Sequence, residues 1–186
     1  MSNFSADQVD AIYTYNKERG YVLPTVYQGQ YNPISRHTET TLFPTLRRLG
    51  ISFYVYAAIA GGFLAKTVEQ VQSGAATGRW DPNSRRSEKY NRPKLIEGLG
   101  VWHAIAKDAN LPAAELAYRY VAYHSAIKAD LGDAIIVGAS RPEQLDQTIK
   151  GIRNGPLSQD IADRIEKVWD IVESEAPLAN LTAWSN

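Results

Sequence analysis

The alternation of apolar and polar positions along the chain predicts a helix followed by a strand at its start. Ser5 is followed three residues later by Gln8, a capping-box pattern that predicts a helix N-terminus. The helix is expected to run to about Arg19, because Gly20 is a typical helix end. A short apolar run at about 23–28 then predicts the first full strand.

The middle of the chain repeats this order before it becomes polar. Leucines at helical spacing predict a helix over residues 38–49, with Gly50 as its end. A run of β-branched and aromatic residues predicts a strand at about 52–57. Residues 67–92 are rich in Gly, Ser, Arg and Asn, which predicts a long loop. Loops of this length in a compact domain are usually functional or disordered.

The second half of the chain is mostly helical, with one further strand. The pattern predicts helices over 93–109 and 112–128, a strand at about 133–138, and a final amphipathic helix over 158–174. Ser140 and Glu143 form a second capping-box pattern, which predicts a short helix after the strand.

This alternation predicts an α/β fold with a parallel sheet, because βα units arrange their strands in that way. The three full strands and a strand stub at 1–4 make a small sheet with two open edges. The pattern therefore favours part of a larger sheet or barrel. No linker is visible, so residues 1–186 are interpreted as one domain.

The composition of the chain argues against several classes of partner and site. Twenty Lys and Arg balance twenty Asp and Glu, which argues against a nucleic-acid or membrane-surface partner. The sequence has no cysteine, so disulfides and thiolate chemistry are excluded. The three histidines are far apart and lack metal-ligand spacing, so no metal site is predicted. With no signal peptide and no long apolar run, a cytoplasmic location is expected.

Candidate phosphate-binding groups follow the second and third full strands. Gly138 ends one strand, and Ser140 and Arg141 precede the next helix, where backbone N–H groups and the helix dipole favour an anion. Gly61 and Gly62 follow the other strand and would allow close approach of a ligand. These residues have an alternative interpretation, in which the glycines form ordinary turns and the serine only a helix cap.

Four segments carry more specific motifs. They are Ser2-Asn-Phe4, Pro24-Thr-Val-Tyr-Gln-Gly-Gln-Tyr-Asn32, Tyr54-Val-Tyr-Ala-Ala-Ile-Ala-Gly-Gly-Phe-Leu64, and Gly132-Asp-Ala-Ile-Ile-Val-Gly-Ala-Ser140 with Glu143-Gln-Leu145. In order and spacing they resemble strands five to eight of the aldo-keto reductases, and most closely the aflatoxin-aldehyde (succinic-semialdehyde) reductase branch. The resemblance extends to about Pro177. It implies the C-terminal half of a (β/α)8 TIM barrel that binds NADP(H).

The resemblance also implies roles for single residues near the nicotinamide and pyrophosphate. Ser2, Asn3 and Gln28 would hydrogen-bond the carboxamide of the nicotinamide, and Tyr31 would stack on its ring. Residues 57–64 would pass along the pyrophosphate. The residues of this group taken as cofactor contacts are Ile59, Ala60, Gly61 and Gly62, with Lys66 and Arg79 reaching the phosphates.

Further positions would hold the adenosine and its 2′-phosphate. They are Ser140, Arg141, Gln144, Gln147 and Thr148, with Gly138 at the strand end, and Trp80 is a candidate substrate contact. Two positions depart from the pattern of the family. Ala57-Ala58 stands where Asn-Pro or Ser-Pro is common, and Thr148 stands where Asn is usual, so weaker cofactor binding is expected.

The resemblance implies no catalytic residue in this chain. The Tyr, Lys, Asp and His of the family lie on the first four strands, which have no counterpart here. Without the general acid, a loss of about 10²–10⁴-fold is expected, so the chain alone is predicted to be inactive. Two hypotheses follow: the cofactor half of an NADPH-dependent aldehyde reductase, or a non-catalytic half-barrel that binds NADP(H) or a partner chain. Open sheet edges make a homodimer possible.

Overall fold

The sheet is parallel and follows the order of the chain. The computed structural model describes residues 1–73 and 85–178, with side chains omitted for 85–87. Within this part, β1 (Val26–Gln30) pairs with β2 (Ser52–Tyr56), and β2 pairs with β3 (Ala134–Ile135). The predicted α/β class is confirmed, and the parallel sheet is consistent with part of a TIM barrel.

Helices connect and flank the strands. They are α1 (Ala6–Glu18), α2 (Thr38–Thr41), α3 (Phe43–Leu49), α4 (Val68–Gln72), α5 (Arg85–Tyr90), α6 (Pro93–Asp108), α7 (Ala113–Tyr123), α8 (Pro142–Arg153) and α9 (Gln159–Val172). Short 3₁₀ turns span Ala60–Ala65, Ala129–Leu131 and Glu173–Glu175. No described helix is long and apolar enough to cross a membrane.

The start of the chain adds a strand-like contact to the sheet. Ser2 forms a parallel bridge with Gln28. The Gln28 N–H donates to the carbonyl oxygen of Met1 at 2.8 Å. The predicted stub at 1–4 is therefore present as a bridge beside β1. Ser5 then caps α1 with the predicted capping box, in which its hydroxyl accepts from the Gln8 N–H.

The structure corrects several predicted boundaries. The helix expected over 38–49 is interrupted at Leu42, because Pro44 has no N–H to continue the helical hydrogen bonding. The first strand begins later than predicted, at Val26, and β3 is shorter than predicted. The loop predicted over 67–92 contains α4, which Thr67 opens with a capping box.

The helix that follows β3 also begins differently from the prediction. Ser140 does not cap it; the N-cap is Arg141, and Pro142 occupies the first turn. Proline suits that position because its missing N–H would be unpaired there in any case. The Ser140 hydroxyl instead donates to the Gln144 side-chain oxygen at 2.8 Å.

The core lies between the sheet and the helices. Phe53 and Val55 of β2 are fully buried, and the Phe53 ring meets Phe43 of α3 at 4.8 Å between centroids. On the outer layer, α6 packs against α9 so closely that a Cβ at Gly98 would lie 2.4 Å from Val172. The amphipathic face predicted for the last helix is confirmed, since its apolar residues Ile161, Ile165, Val168 and Val172 are buried.

A buried ion pair joins the elements at the amino-terminal end of the sheet. Asp133, just before β3, has a fully buried side chain that accepts two hydrogen bonds from Arg47, at 2.8 and 2.5 Å. It also accepts from the backbone N–H groups of Phe53 and Lys128. One carboxylate thus fixes α3, β2 and the approach to β3.

Candidate functional site

Three of the four residues expected near the nicotinamide lie beside one another at β1. Gln28 is exposed on β1 and lies beside Ser2 through their bridge. Asn3 follows directly, with a φ of 60°, in the left-handed region. That conformation is uncommon for residues other than glycine, although asparagine tolerates it best. The structure therefore brings Ser2, Asn3 and Gln28 together.

Tyr56, which the sequence interpretation did not assign a role, belongs to the same group. Its hydroxyl donates to Asn3 Oδ1 at 3.2 Å. Side chains alternate along β2, so Phe53 and Val55 point into the core while Tyr54 and Tyr56 lie half-buried on the other face. This alternation, together with the position of Tyr56 at the strand end, is the sequence signal that could have identified it.

Tyr31 lies elsewhere, in the core. It is fully buried, and its ring packs against Phe43 at 5.7 Å and edge-on against Phe53 at 6.5 Å between centroids. Its hydroxyl donates to Glu39 Oε1 at 2.6 Å. Burial, together with the Glu39 charge, raises the pKa of Tyr31 above its ordinary value. Tyr31 therefore has no free ring face, and the stacking position predicted for it does not exist in this structure.

A charged network holds Tyr31 in place. Arg36 bonds Glu39 at 2.7 Å and Glu166 of α9 at 2.5 Å. The Tyr120 hydroxyl of α7 donates to the same Glu166 carboxylate, and burial raises the pKa of Tyr120. Both tyrosine hydroxyls are thus fixed as donors to carboxylates, which makes them structural groups rather than proton donors for a ligand.

The loop after β2 has an unusual backbone. Ala57, Ala60, Gly61 and Gly62 all have positive φ, at 58°, 53°, 65° and 102°. The Ala58 and Ala60 side chains are buried, whereas Gly61 is exposed. The loop is therefore anchored by its small side chains and turns glycine backbone outward. A backbone of this form can follow a pyrophosphate closely.

The structure describes only some of the other residues expected near the phosphates and the substrate. Lys66 is half-buried at the end of this loop, and its carbonyl oxygen lies 2.6 Å from the His103 ring nitrogen Nε2. Ile59 is half-buried in the loop itself. Arg79 and Trp80 lie outside the described residues.

The adenosine side of the predicted site lies at the N-terminus of α8, the helix after β3. Gly138, Ser140 and Arg141 are exposed there, and Gln147 is exposed one turn into the helix. Gln144 is held by Ser140, and the Thr148 hydroxyl donates to the Gln144 carbonyl oxygen at 2.8 Å. Arg141 therefore lies where the helix dipole and its own charge both favour an anion.

Because β2 and β3 are neighbouring strands, their following loops leave the same edge of the sheet. The loop at 57–65 and the N-terminus of α8 therefore lie on the same side of the sheet. Among the described residues, no group of three or more His, Asp or Glu side chains is placed to hold a metal.

A protein-family model and several curated proteins match most of this chain. Residues 1–170 match the sequence model of the Aldo/keto reductase family. The oxidoreductase sirO of Leptosphaeria maculans is 38% identical over 97% of this chain and 56% of its own length. The human aflatoxin B1 aldehyde reductase member 2 is 35% identical over 95% of this chain and 52% of its own length. The chain thus spans about half the length of the curated relatives it matches.

Proposed function

The chain belongs to the aldo/keto reductase family, and we propose that it supplies the NADP(H)-binding part of an aldehyde reductase. In the complete enzyme, NADPH would supply the hydride that reduces an aldehyde carbonyl. The family and the similarity to aflatoxin aldehyde reductases agree with the sequence-based prediction. The cofactor, the substrate class and a cytoplasmic location remain part of the proposal.

One observation carries the proposal: side chains of suitable chemistry lie near one another on β1, on β2 and on the amino-terminal segment that bridges to β1. Asn3 and Gln28 carry amide groups that can pair with a carboxamide, and Tyr56 adds an aromatic ring bonded to Asn3. Together they fit a flat ring that bears an amide. In this proposal Tyr56 replaces Tyr31 as the aromatic contact of the nicotinamide, because Tyr31 is buried.

The phosphate groups would bind further along the same edge. The loop at 57–65 offers backbone with positive φ, and Arg141 offers a fixed charge at the start of α8. Gly138, Ser140, Gln144, Gln147 and Thr148 would complete the adenosine side. The binding residues of the chain would thereby orient the cofactor, while the proton donor would come from another part of the enzyme.

The test is a fluorescence titration of the purified chain with NADPH and NADH. We expect NADPH to bind more tightly, because Arg141 would pair with the 2′-phosphate. Arg141→Ala should weaken NADPH binding by about tenfold to a hundredfold, the range for hydrogen bonds to a charged group, and leave NADH binding unchanged. Arg153→Ala, an exposed arginine at the other end of α8, is the matched control.

Equal binding of the two nucleotides, or an Arg141→Ala variant that binds NADPH like the wild type, would argue against this assignment of the 2′-phosphate. We also expect no measurable reduction of an aromatic aldehyde by the chain alone. Turnover in this chain that Arg141→Ala abolishes would contradict that expectation.

A second candidate function is a non-catalytic half-barrel that pairs with another chain. Exposed apolar side chains beside the sheet favour it, since Ile136 is 38% exposed and Phe4 is 37% exposed. A homodimer through the sheet edges would cover such residues. Light scattering tests this: a dimer supports the second candidate, and a stable, well-folded monomer argues against it.

A further inference from the structure

The loop after β2 opens on a residue in an unfavourable conformation. Ala57 has a φ of 58°, although a residue with a Cβ atom disfavours the left-handed region. Ala60, three residues later, is also left-handed, and its N–H donates to the Ala57 carbonyl oxygen at 2.8 Å. The course of the loop therefore depends on the orientation of the peptide group that follows Ala57.

A buried asparagine holds that peptide group from the neighbouring strand. Asn32, just after β1, is fully buried, and its Nδ2 donates to the Ala57 carbonyl oxygen at 3.1 Å. The other amide atom is also used, because Asn32 Oδ1 accepts from the Ile34 N–H at 3.1 Å. The orientation of the Asn32 amide is thereby fixed.

The backbone of Asn32 is fixed as well. Asn32 and Ser35 exchange two backbone hydrogen bonds, at 3.4 and 3.0 Å. Just before Asn32, the Tyr31 N–H donates to the Tyr56 carbonyl oxygen at 3.3 Å. The residues that follow β1 are thus held by several hydrogen bonds, and they in turn bond the backbone that follows β2.

We propose that Asn32 is a positioning residue that sets the left-handed turn at Ala57 and, through it, the backbone of residues 57–65. The consequence for cofactor affinity rests on the proposed function, since Asn32 is buried and would act only through the loop. The consequence for the loop itself does not depend on any ligand.

The test uses two variants: the single variant Asn32→Asp, and a double variant that carries both Asn32→Asp and Ala57→Gly. Aspartate has nearly the same shape and keeps an oxygen for the Ile34 N–H, but its carboxylate cannot donate to Ala57. Glycine adopts the left-handed conformation readily, so it should remove the need for the Asn32 bond. Asn16→Asp is the matched control, because Asn16 Nδ2 also donates to a backbone carbonyl, that of Val22, at the far end of α1.

Two readouts are needed: hydrogen exchange at the amides of residues 58–65, and the dissociation constant for NADPH. We expect Asn32→Asp to speed exchange and to weaken NADPH binding, each by about tenfold, the factor that corresponds to one hydrogen bond. Adding Ala57→Gly should restore most of both losses. Asn16→Asp should change neither.

The inference is overturned if Asn32→Asp leaves the exchange of the loop unchanged, or if Ala57→Gly restores nothing. Should Asn32→Asp fail to fold, recovery of the fold in the double variant supports the inference, and failure of both variants overturns it. A wild-type chain that does not bind NADPH would refute the proposed function alone, because the exchange data would still decide the role of Asn32.

Discussion

The two ends of the sheet are built in different ways. At the amino-terminal end, the Asp133 carboxylate is saturated by Arg47 and two backbone N–H groups, and it is fully buried. At the carboxyl-terminal end, Asn3, Gln28 and Tyr56 are partly accessible, and the backbone enters the left-handed region repeatedly. The polar groups at the first end bond one another and stabilise the fold, whereas several polar side chains at the second end remain partly exposed to solvent.

The largest expected effect lies at the amino-terminal end. Asp133→Ala would leave the half-buried Arg47 and the backbone N–H groups of Phe53 and Lys128 without their partner, so we expect a loss of about 3–5 kcal/mol in the free energy of unfolding. Urea denaturation measures it, with the exposed Asp130→Ala as control. The folded fraction should still bind NADPH normally. A loss below about 1 kcal/mol, which is typical of a surface ion pair, would show that the Asp133 interactions contribute little to the stability of the fold.

Two left-handed glycines offer a smaller, paired test of the comparison. A Cβ at Gly132, φ 78°, would lie 2.6 Å from Ser52 Oγ, whereas a Cβ at Gly62, φ 102°, would meet nothing within 4 Å. Gly132→Ala should therefore cost about 2–3 kcal/mol through strain and crowding, and Gly62→Ala about 1 kcal/mol through strain alone.

The NADPH affinities of Gly132→Ala and Gly62→Ala also distinguish the two ends of the sheet. Only Gly62→Ala should weaken NADPH binding, because its new methyl group would stand on the loop proposed to follow the pyrophosphate. Denaturation curves and NADPH titrations of both variants check this. The reverse pattern, with binding lost only in Gly132→Ala, would remove the distinction between the two ends.

The smallest effect concerns pH. The Leu157 N–H donates to His124 Nε2 at 2.8 Å, so the ring is neutral there, and burial lowers the pKa of His124. Arg119 also lowers this pKa, whereas Asp163 and Glu166 oppose the shift. Since the folded-state pKa is depressed, the contribution to stability is complete above about pH 6.5 and is lost as the pH falls through the lowered value.

The unfolding midpoint should therefore decline below about pH 6.5 in the wild type, and less steeply in His124→Gln, which cannot titrate. Denaturation at a series of pH values gives both slopes. Identical slopes would mean that His124 does not carry this dependence.

Local sequence signals predicted local structure well. The capping box at Ser5 and the buried face of α9 are present as expected, because each depends on residues within a few turns of one another. The prediction of one helix over 38–49 gave too little weight to Pro44, and the predicted loop at 67–92 overlooked the capping box at Thr67.

The site was harder to predict because it depends on which face of a strand exit a side chain occupies. Tyr31 and Tyr56 both stand near strand ends, and only the packing of Phe43 and Phe53 shows that Tyr31 turns into the core. The prediction that Ser140 caps α8 was wrong for a related reason, since the choice between capping α8 and bonding Gln144 is decided by Pro142 and the local backbone.

The most direct measurement is the NADPH affinity of Tyr56→Ala beside that of Tyr31→Phe. We expect Tyr56→Ala to weaken NADPH binding by about tenfold or more, which corresponds to the loss of one stacked ring. Tyr31→Phe should bind NADPH like the wild type and lose only stability, because it removes the hydrogen bond to Glu39. Normal binding by Tyr56→Ala, with binding lost in Tyr31→Phe, would contradict the proposal that Tyr56 contacts the nicotinamide.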